Sequence, residues 1–78
     1  MYYVYILQCK DQRTYLGCTN GLKERLERHQ KGFIPATKQR LPVSLICYFA
    51  FHNKNTAFQF EKYLKTGSGR AFINKHFL

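Results

Sequence analysis

Two runs of β-branched and aromatic residues, split by a short polar break and followed at once by a helical pattern, constrain this chain more than anything else in it. Tyr2-Tyr3-Val4-Tyr5-Ile6-Leu7 favours extended backbone, and Thr14-Tyr15-Leu16-Gly17-Cys18 resumes it. Lys10-Asp11-Gln12-Arg13 between them has turn chemistry, so the two runs read as a β-hairpin. The period of two puts Tyr3, Tyr5 and Leu7 on one face of the first strand and Tyr2, Val4 and Ile6 on the other. Tyr5 and Tyr15 then lie on neighbouring strands. Taken singly, each tyrosine is ordinary sheet packing with a hydroxyl at the rim.

A helix is predicted from about Gly21 to Lys31, with Thr19 or Asn20 as cap and Gly32 as stop. Leu22 and Leu26 form its apolar stripe. At about 100° per residue, Arg25 and His29 fall beside that stripe, one turn apart. A guanidinium and an imidazole turned inward cost desolvation unless they have partners or work. A snorkelling arginine and a satisfied histidine are the plain alternatives. Phe33 to Pro42 reads as a loop carrying Thr37, Lys38 and Arg40. Val43 to Phe51 is apolar on both faces, as expected of a central strand. Thr56-Ala57-Phe58-Gln59 has capping-box spacing and opens a second helix, which Gly67 ends. Ala57, Phe60 and Leu64 are its inward stripe, and Glu61 falls inside that stripe. Such a carboxylate either pairs with a buried cation or binds a metal ion. A short terminal helix, Ala71 to His76, follows Ser68-Gly69-Arg70.

With 78 residues the chain is expected to be one domain, residues 1–78. The pattern is α+β: a small three-stranded mixed sheet, built from the hairpin and the strand near 43–51, with helices packed on it. Thirteen Lys and Arg against four Asp and Glu give a net charge of +9, spread over both halves. A folded, basic, aromatic-rich chain most often meets a polyanion, and nucleic acid heads that class; a membrane surface or simple solubility are the alternatives. Cys9, Cys18 and Cys47 are odd in number and lack C-x-x-C spacing, which argues against a disulfide framework or a structural zinc site. No leader pattern or membrane-length apolar run is visible, so a soluble, cytoplasmic protein is expected.

The order of these parts resembles the GIY-YIG nuclease domain, and more closely the small standalone bacterial proteins of that family, of the UPF0213 type. Val4-Tyr5-Ile6 stands at the first motif, with Val in place of the usual Gly, and Tyr15-Leu16-Gly17 stands at the second. Leu22 to His29 resembles the family's first helix, with Arg25 and His29 at its functional positions; Thr37 to Pro42, Glu61 to Lys65 and Gly67 to Arg70 continue the likeness. The resemblance implies a divalent-metal-dependent DNA endonuclease that acts on branched, damaged or single-stranded structures with little sequence specificity. It implies catalytic roles for Tyr5, Tyr15, Arg25, His29 and Glu61, with Glu61 holding one Mg²⁺ or Mn²⁺. Lys38, Arg40, Lys65 and Arg70 would contact the nucleic acid, and Asn74 lies in the region of a further family asparagine. The protein would be a monomer in isolation, and a protein partner could supply specificity. Two other readings stand beside this one: a nucleic-acid-binding module with the nuclease fold and no cleavage of its own, and a basic structural protein.

Overall fold

The computed structural model describes residues 1–78. Strands β1 (Tyr2–Gln8) and β2 (Thr14–Thr19) form the hairpin, and α1 (Leu22–Gln30) follows. A 3₁₀ turn at Lys38–Arg40 precedes β3 (Ser44–Phe51), and α2 (Lys54–Leu64) and α3 (Gly67–His76) close the chain. The sheet order is β2-β1-β3. Both pairings are antiparallel, which corrects the mixed sheet expected from the sequence.

The central strand is β1 and not β3. Val4, Tyr5, Ile6 and Leu7 are all 1% exposed or less, because β1 has a strand on each side and helices on both faces. Strand β3 is an edge. Its apolar character on both faces has two origins. Cys47, Phe49 and Phe51 pack toward Val4 and Ile6 under the later helices, while Tyr48, on the other face, is 52% exposed. A bulge between Ile6 and Leu7 shifts the partner from Cys47 to Leu45. It breaks the strict alternation and carries Ile46 to the same core as Cys47.

The two faces of β1 divide as the period of two requires. Tyr5 and Leu7, with Cys9 and Val43, pack against Leu22 and Leu26 of α1. Val4 and Ile6 pack against Ala57 and Leu64 of α2 and Ile73 of α3. Each such buried aliphatic side chain contributes roughly 1.5–3 kcal/mol. The order of layers is therefore α1, sheet, α2 with α3.

Helix boundaries differ from expectation where one polar side chain competes with another. Helix α1 begins after Gly21 without a side-chain cap; the Thr19 hydroxyl accepts from Gly21 N–H, one residue short of the helix. Helix α2 begins two residues before Thr56, because the Asn53 side chain accepts from both Asn55 N–H and Thr56 N–H. Gly67 does not end α2. Leu64 is its last residue, and Thr66 caps α3 by accepting from Gly69 N–H. A Cβ on Gly69 would overlap Leu64 Cα and the Tyr63 carbonyl, so this glycine is what lets α3 cross the end of α2.

Candidate active site

The site forms at the β2 edge of the sheet. Tyr5 lies opposite Gly17 across the β1–β2 ladder, and both face α1. The Tyr5 ring lies over the Gly17 backbone: a Cβ built on Gly17 would overlap Cζ and Oη of Tyr5. A glycine in the middle of a strand marks such a close approach. Here it lets a side chain rooted in the central strand carry its hydroxyl across β2.

At that edge the last turn of α1 presents His29, with Nε2 2.8 Å from Tyr5 Oη. Its other ring nitrogen, Nδ1, lies 2.7 Å from Thr37 Oγ1. Tyr5, His29 and Thr37 are all 0% exposed. Tyr15, two residues before Gly17 on the same face of β2, completes the cluster. Its ring centroid is 5.2 Å from that of His29 and 6.4 Å from that of Tyr5.

Burial sets the protonation of this line. It pushes the Tyr5 phenol up to about 12, against the pull of the Arg25 guanidinium, while the charges of Tyr15 and Glu61 add to the rise. Burial also holds His29 below the usual imidazole range, and the positive charge of Arg25 lowers it further. At neutral pH the phenol keeps its proton and the imidazole carries only one. With one ring proton, one His29 nitrogen donates and the other accepts, and the hydroxyls of Tyr5 and Thr37 take the complementary roles. No buried side-chain polar atom is left without a partner.

Glu61 reaches the same edge from the other face of the sheet, on α2. Its side chain is 18% exposed, and Oε2 lies 3.2 Å from Lys65 Nζ one turn on. The half-buried carboxylate thus does have an ion-pair partner, but an exposed one, not a buried cation. Glu61, Tyr15, Lys65, Arg70, Asn74 and Arg40 stand on the walls of an open cleft of about 1110 Å³. Arg40 is also tied to Asp11, at 2.9 Å. Arg25 opens elsewhere, into a smaller groove of about 230 Å³. Lys38, on the 3₁₀ turn, is exposed and lines neither.

The sequence-derived set is therefore brought together in two tiers. Tyr5 and His29 are sealed beneath the surface, Tyr15 and Glu61 face the cleft, and Arg25 lies between the Tyr5 phenol and the smaller groove. Thr37 was visible in the sequence only as a polar loop residue; nothing in its spacing tied it to His29, eight residues away. Gly17 carried a signal, a glycine inside a strand pattern and in register with Tyr5.

The donor set decides which metal this place fits. No three His, Cys, Asp or Glu side chains converge anywhere in the molecule. One carboxylate on an open, polar cleft suits a hard cation that keeps most of its water, such as Mg²⁺ or Mn²⁺, and not zinc. No helix is long and apolar enough to cross a membrane.

Comparison with known proteins gives a consistent result. The GIY-YIG catalytic domain matches residues 1–75. A UPF0213 protein of Clostridium perfringens is 44% identical over 66 residues, covering 83% of this chain and 71% of that protein. A UPF0213 protein of Streptococcus pyogenes serotype M5 is 40% identical over 79 residues, covering 95% and 86%. Among solved structures, the solution NMR structure of a UPF0213 protein from Bacillus halodurans superposes with a TM-score of 0.61 at 32% identity, over 96% of this chain and 84% of that one. The rings of Tyr5 and Tyr15, which meet over the β2 edge, thus sit in a chain that belongs, along nearly its whole length, to the GIY-YIG family of nuclease domains and to the UPF0213 proteins within it.

Proposed function

We propose that this protein is a divalent-metal-dependent DNA endonuclease, directed by substrate structure and not by sequence. The observation that carries this reading is the buried Tyr5–His29–Thr37 line, against which packs Tyr15, a wall of a cationic cleft holding one half-buried carboxylate. A chain folding for stability alone has little reason to seal a neutral phenol–imidazole pair beneath such a surface.

Each residue has a role that its position supports. Lys65 and Arg70 on the cleft wall bind the phosphodiester backbone, and Arg40 adds to that field. Arg25, at the border of the smaller groove, reaches the non-bridging oxygens through its planar fork from that side and not from the cleft wall. Tyr15, on the cleft wall, orients the attacking water. The Tyr5 phenol is the general base: its proton passes to His29 Nε2 as the charge developing on its oxygen takes a proton from the water, a relay uphill at rest that the opening of the pocket on substrate entry must ease. Arg25 beside the phenol favours that charge, and Thr37 Oγ1 keeps the imidazole in register by accepting from Nδ1–H. Because Tyr5 is fully enclosed, a neighbouring side chain must shift when the substrate enters. Glu61, once it lets go of Lys65, would hold the cation, which supplies neutralisation of the leaving oxygen. Asn74 shares the cleft and is placed to hydrogen-bond there.

The enclosure of Tyr5 also favours a second reading, a nucleic-acid-binding module that does not cleave by itself. One experiment separates the two. Supercoiled plasmid and a set of flap and junction DNAs are incubated with Mg²⁺, Mn²⁺ or EDTA, with Tyr5→Phe and Glu61→Gln alongside. Metal-dependent cleavage that falls by about 10³-fold in Glu61→Gln supports the enzyme. Intact DNA in every lane, with salt-sensitive binding, selects the binding module.

A further inference from the structure

We infer that the small groove beside Arg25 binds an unpaired nucleotide next to the position of cutting, so that the protein selects DNA carrying a single-stranded arm. This inference rests on reading the cleft as the site where the phosphodiester lies. The groove is walled by Tyr2, Asn20, Arg25, Lys54 and Phe58. Lys54, Phe58 and Glu61 on α2 and Lys65 at its C-terminal cap follow one another at steps of four, three and four residues, and so lie along one face of the helix. Eleven residues at a rise of 1.5 Å place Lys54 and Lys65 about 16 Å apart along the axis. The groove is at one end of this line, the cleft at the other, and Glu61 stands between them. A strand laid along α2 through the cleft therefore runs past Glu61 into the groove.

The groove differs from the cleft in what it offers. The cleft presents mainly charge. The groove presents two aromatic rings together with two cations and the amide of Asn20. Phe58 is 45% exposed and belongs to neither apolar core, whereas Phe60 two residues on packs into one of them. Lys54 Nζ sits over the Phe58 ring, 5.5 Å from its centroid, so a base stacking on that face displaces the ammonium toward the nucleotide's own phosphate. Bases inside a duplex have both π-faces covered by their neighbours; an unpaired base has a face free to stack on an aromatic side chain while cations hold its phosphate. At about 230 Å³ the groove falls below the range of about 300–1,000 Å³ usual for drug-sized ligands, which suits one base and not a base pair.

The test measures binding by the full chain in EDTA, where no cutting can occur. Fluorescence anisotropy compares a blunt duplex with the same duplex carrying a single-stranded arm, and 2-aminopurine in the first arm position reports stacking. The parent is expected to prefer the armed DNA and to quench the probe. Phe58→Ala, checked by its melting curve, loses on the order of 10- to 100-fold on armed DNA, leaves duplex binding unchanged, and no longer quenches. Phe58→Trp restores both. Equal affinity of parent and Phe58→Ala for armed DNA, or the same loss on both DNAs, overturns the inference. Its fate is separable from that of the nuclease. A Phe58-dependent preference in a protein that cuts nothing keeps the groove and removes the enzyme, and metal-dependent cutting indifferent to Phe58 does the reverse.

Discussion

Substituting Gly17 by alanine tests the geometry on which the site depends. The added Cβ would overlap Cζ and Oη of Tyr5. Both atoms lie on the axis of ring rotation, so a ring flip moves neither of them. Relief requires a change of χ1 in a side chain with no exposed surface, or a shift of the β1–β2 ladder. Overpacking of this kind costs about 1–3 kcal/mol. Moving the phenol also strips His29 Nε2 of its buried partner at 2.8 Å, a further loss of about 1–3 kcal/mol. Loss of backbone freedom in the unfolded chain returns roughly 0.4–1 kcal/mol. The net destabilisation is about 1–5.5 kcal/mol with a middle of about 3, and that middle value is a fall in melting temperature of roughly 12–24 °C for a chain of this size. Urea unfolding followed by far-UV circular dichroism measures it, and two further backgrounds isolate the cause. In Tyr5→Leu, which lacks Cζ and Oη, Gly17→Ala costs under about 0.5 kcal/mol. In Tyr5→Phe, which keeps Cζ but has already lost the bond to His29, only the steric part of about 1–3 kcal/mol remains. Equal penalties in the Tyr5 and Tyr5→Leu backgrounds would refute the placement of the ring over β2.

Four further outcomes follow from the same geometry. Thr37→Val leaves the buried His29 Nδ1 without its hydrogen-bond partner and lowers stability by about 1–3 kcal/mol in the same urea assay. Above pH 10 the unfolded chain releases the Tyr5 proton that the folded chain retains to about 12, so stability falls between these values by roughly 2–3 kcal/mol more in the parent than in Tyr5→Phe. The thiols of Cys9, Cys18 and Cys47, also raised by burial, contribute equally to both proteins. On the acid side, His29 is held low, so below pH 6.5 the unfolded chain binds a proton that the fold refuses, and stability falls with pH; chemical denaturation from pH 7 to 5 shows it as a declining midpoint. Arg70→Ala weakens duplex binding without regard to sequence and reduces the slope of log affinity against log salt by about one, read by anisotropy from low to moderate ionic strength.

Much of the architecture was legible because it rests on short-range rules. The period of two assigned Val4 and Ile6 to one face of β1 and Tyr5 and Leu7 to the other, and the packing follows that division. The polar break at Lys10 to Arg13 marked the hairpin, and Gly32, at φ +76°, ended α1 as read. Local reading failed where two local signals competed. Thr56 and Asn53 are both acceptable caps, and only the chain leaving the edge strand selects Asn53. Gly67 and Gly69 both look like breaks, yet one begins α3 and the other seats it against α2. Strand β3 looked central because apolar side chains on both faces do not reveal how many of those faces are covered.

For the site, the sequence determined the chemistry available: two phenols, a guanidinium and an imidazole one turn apart, and a carboxylate within an apolar stripe. These follow from residue type and helical or strand period, and they are local. Only the tertiary structure decided that Tyr5 crosses β2 over Gly17, that Thr37 fixes the far nitrogen of His29, that Glu61 arrives from the opposite face, and that Arg25 opens onto a separate groove. Those contacts join residues far apart in the chain. They depend on which elements share an edge, and the burial that holds the phenol and the imidazole neutral exists only once the sheet and helices have closed around them.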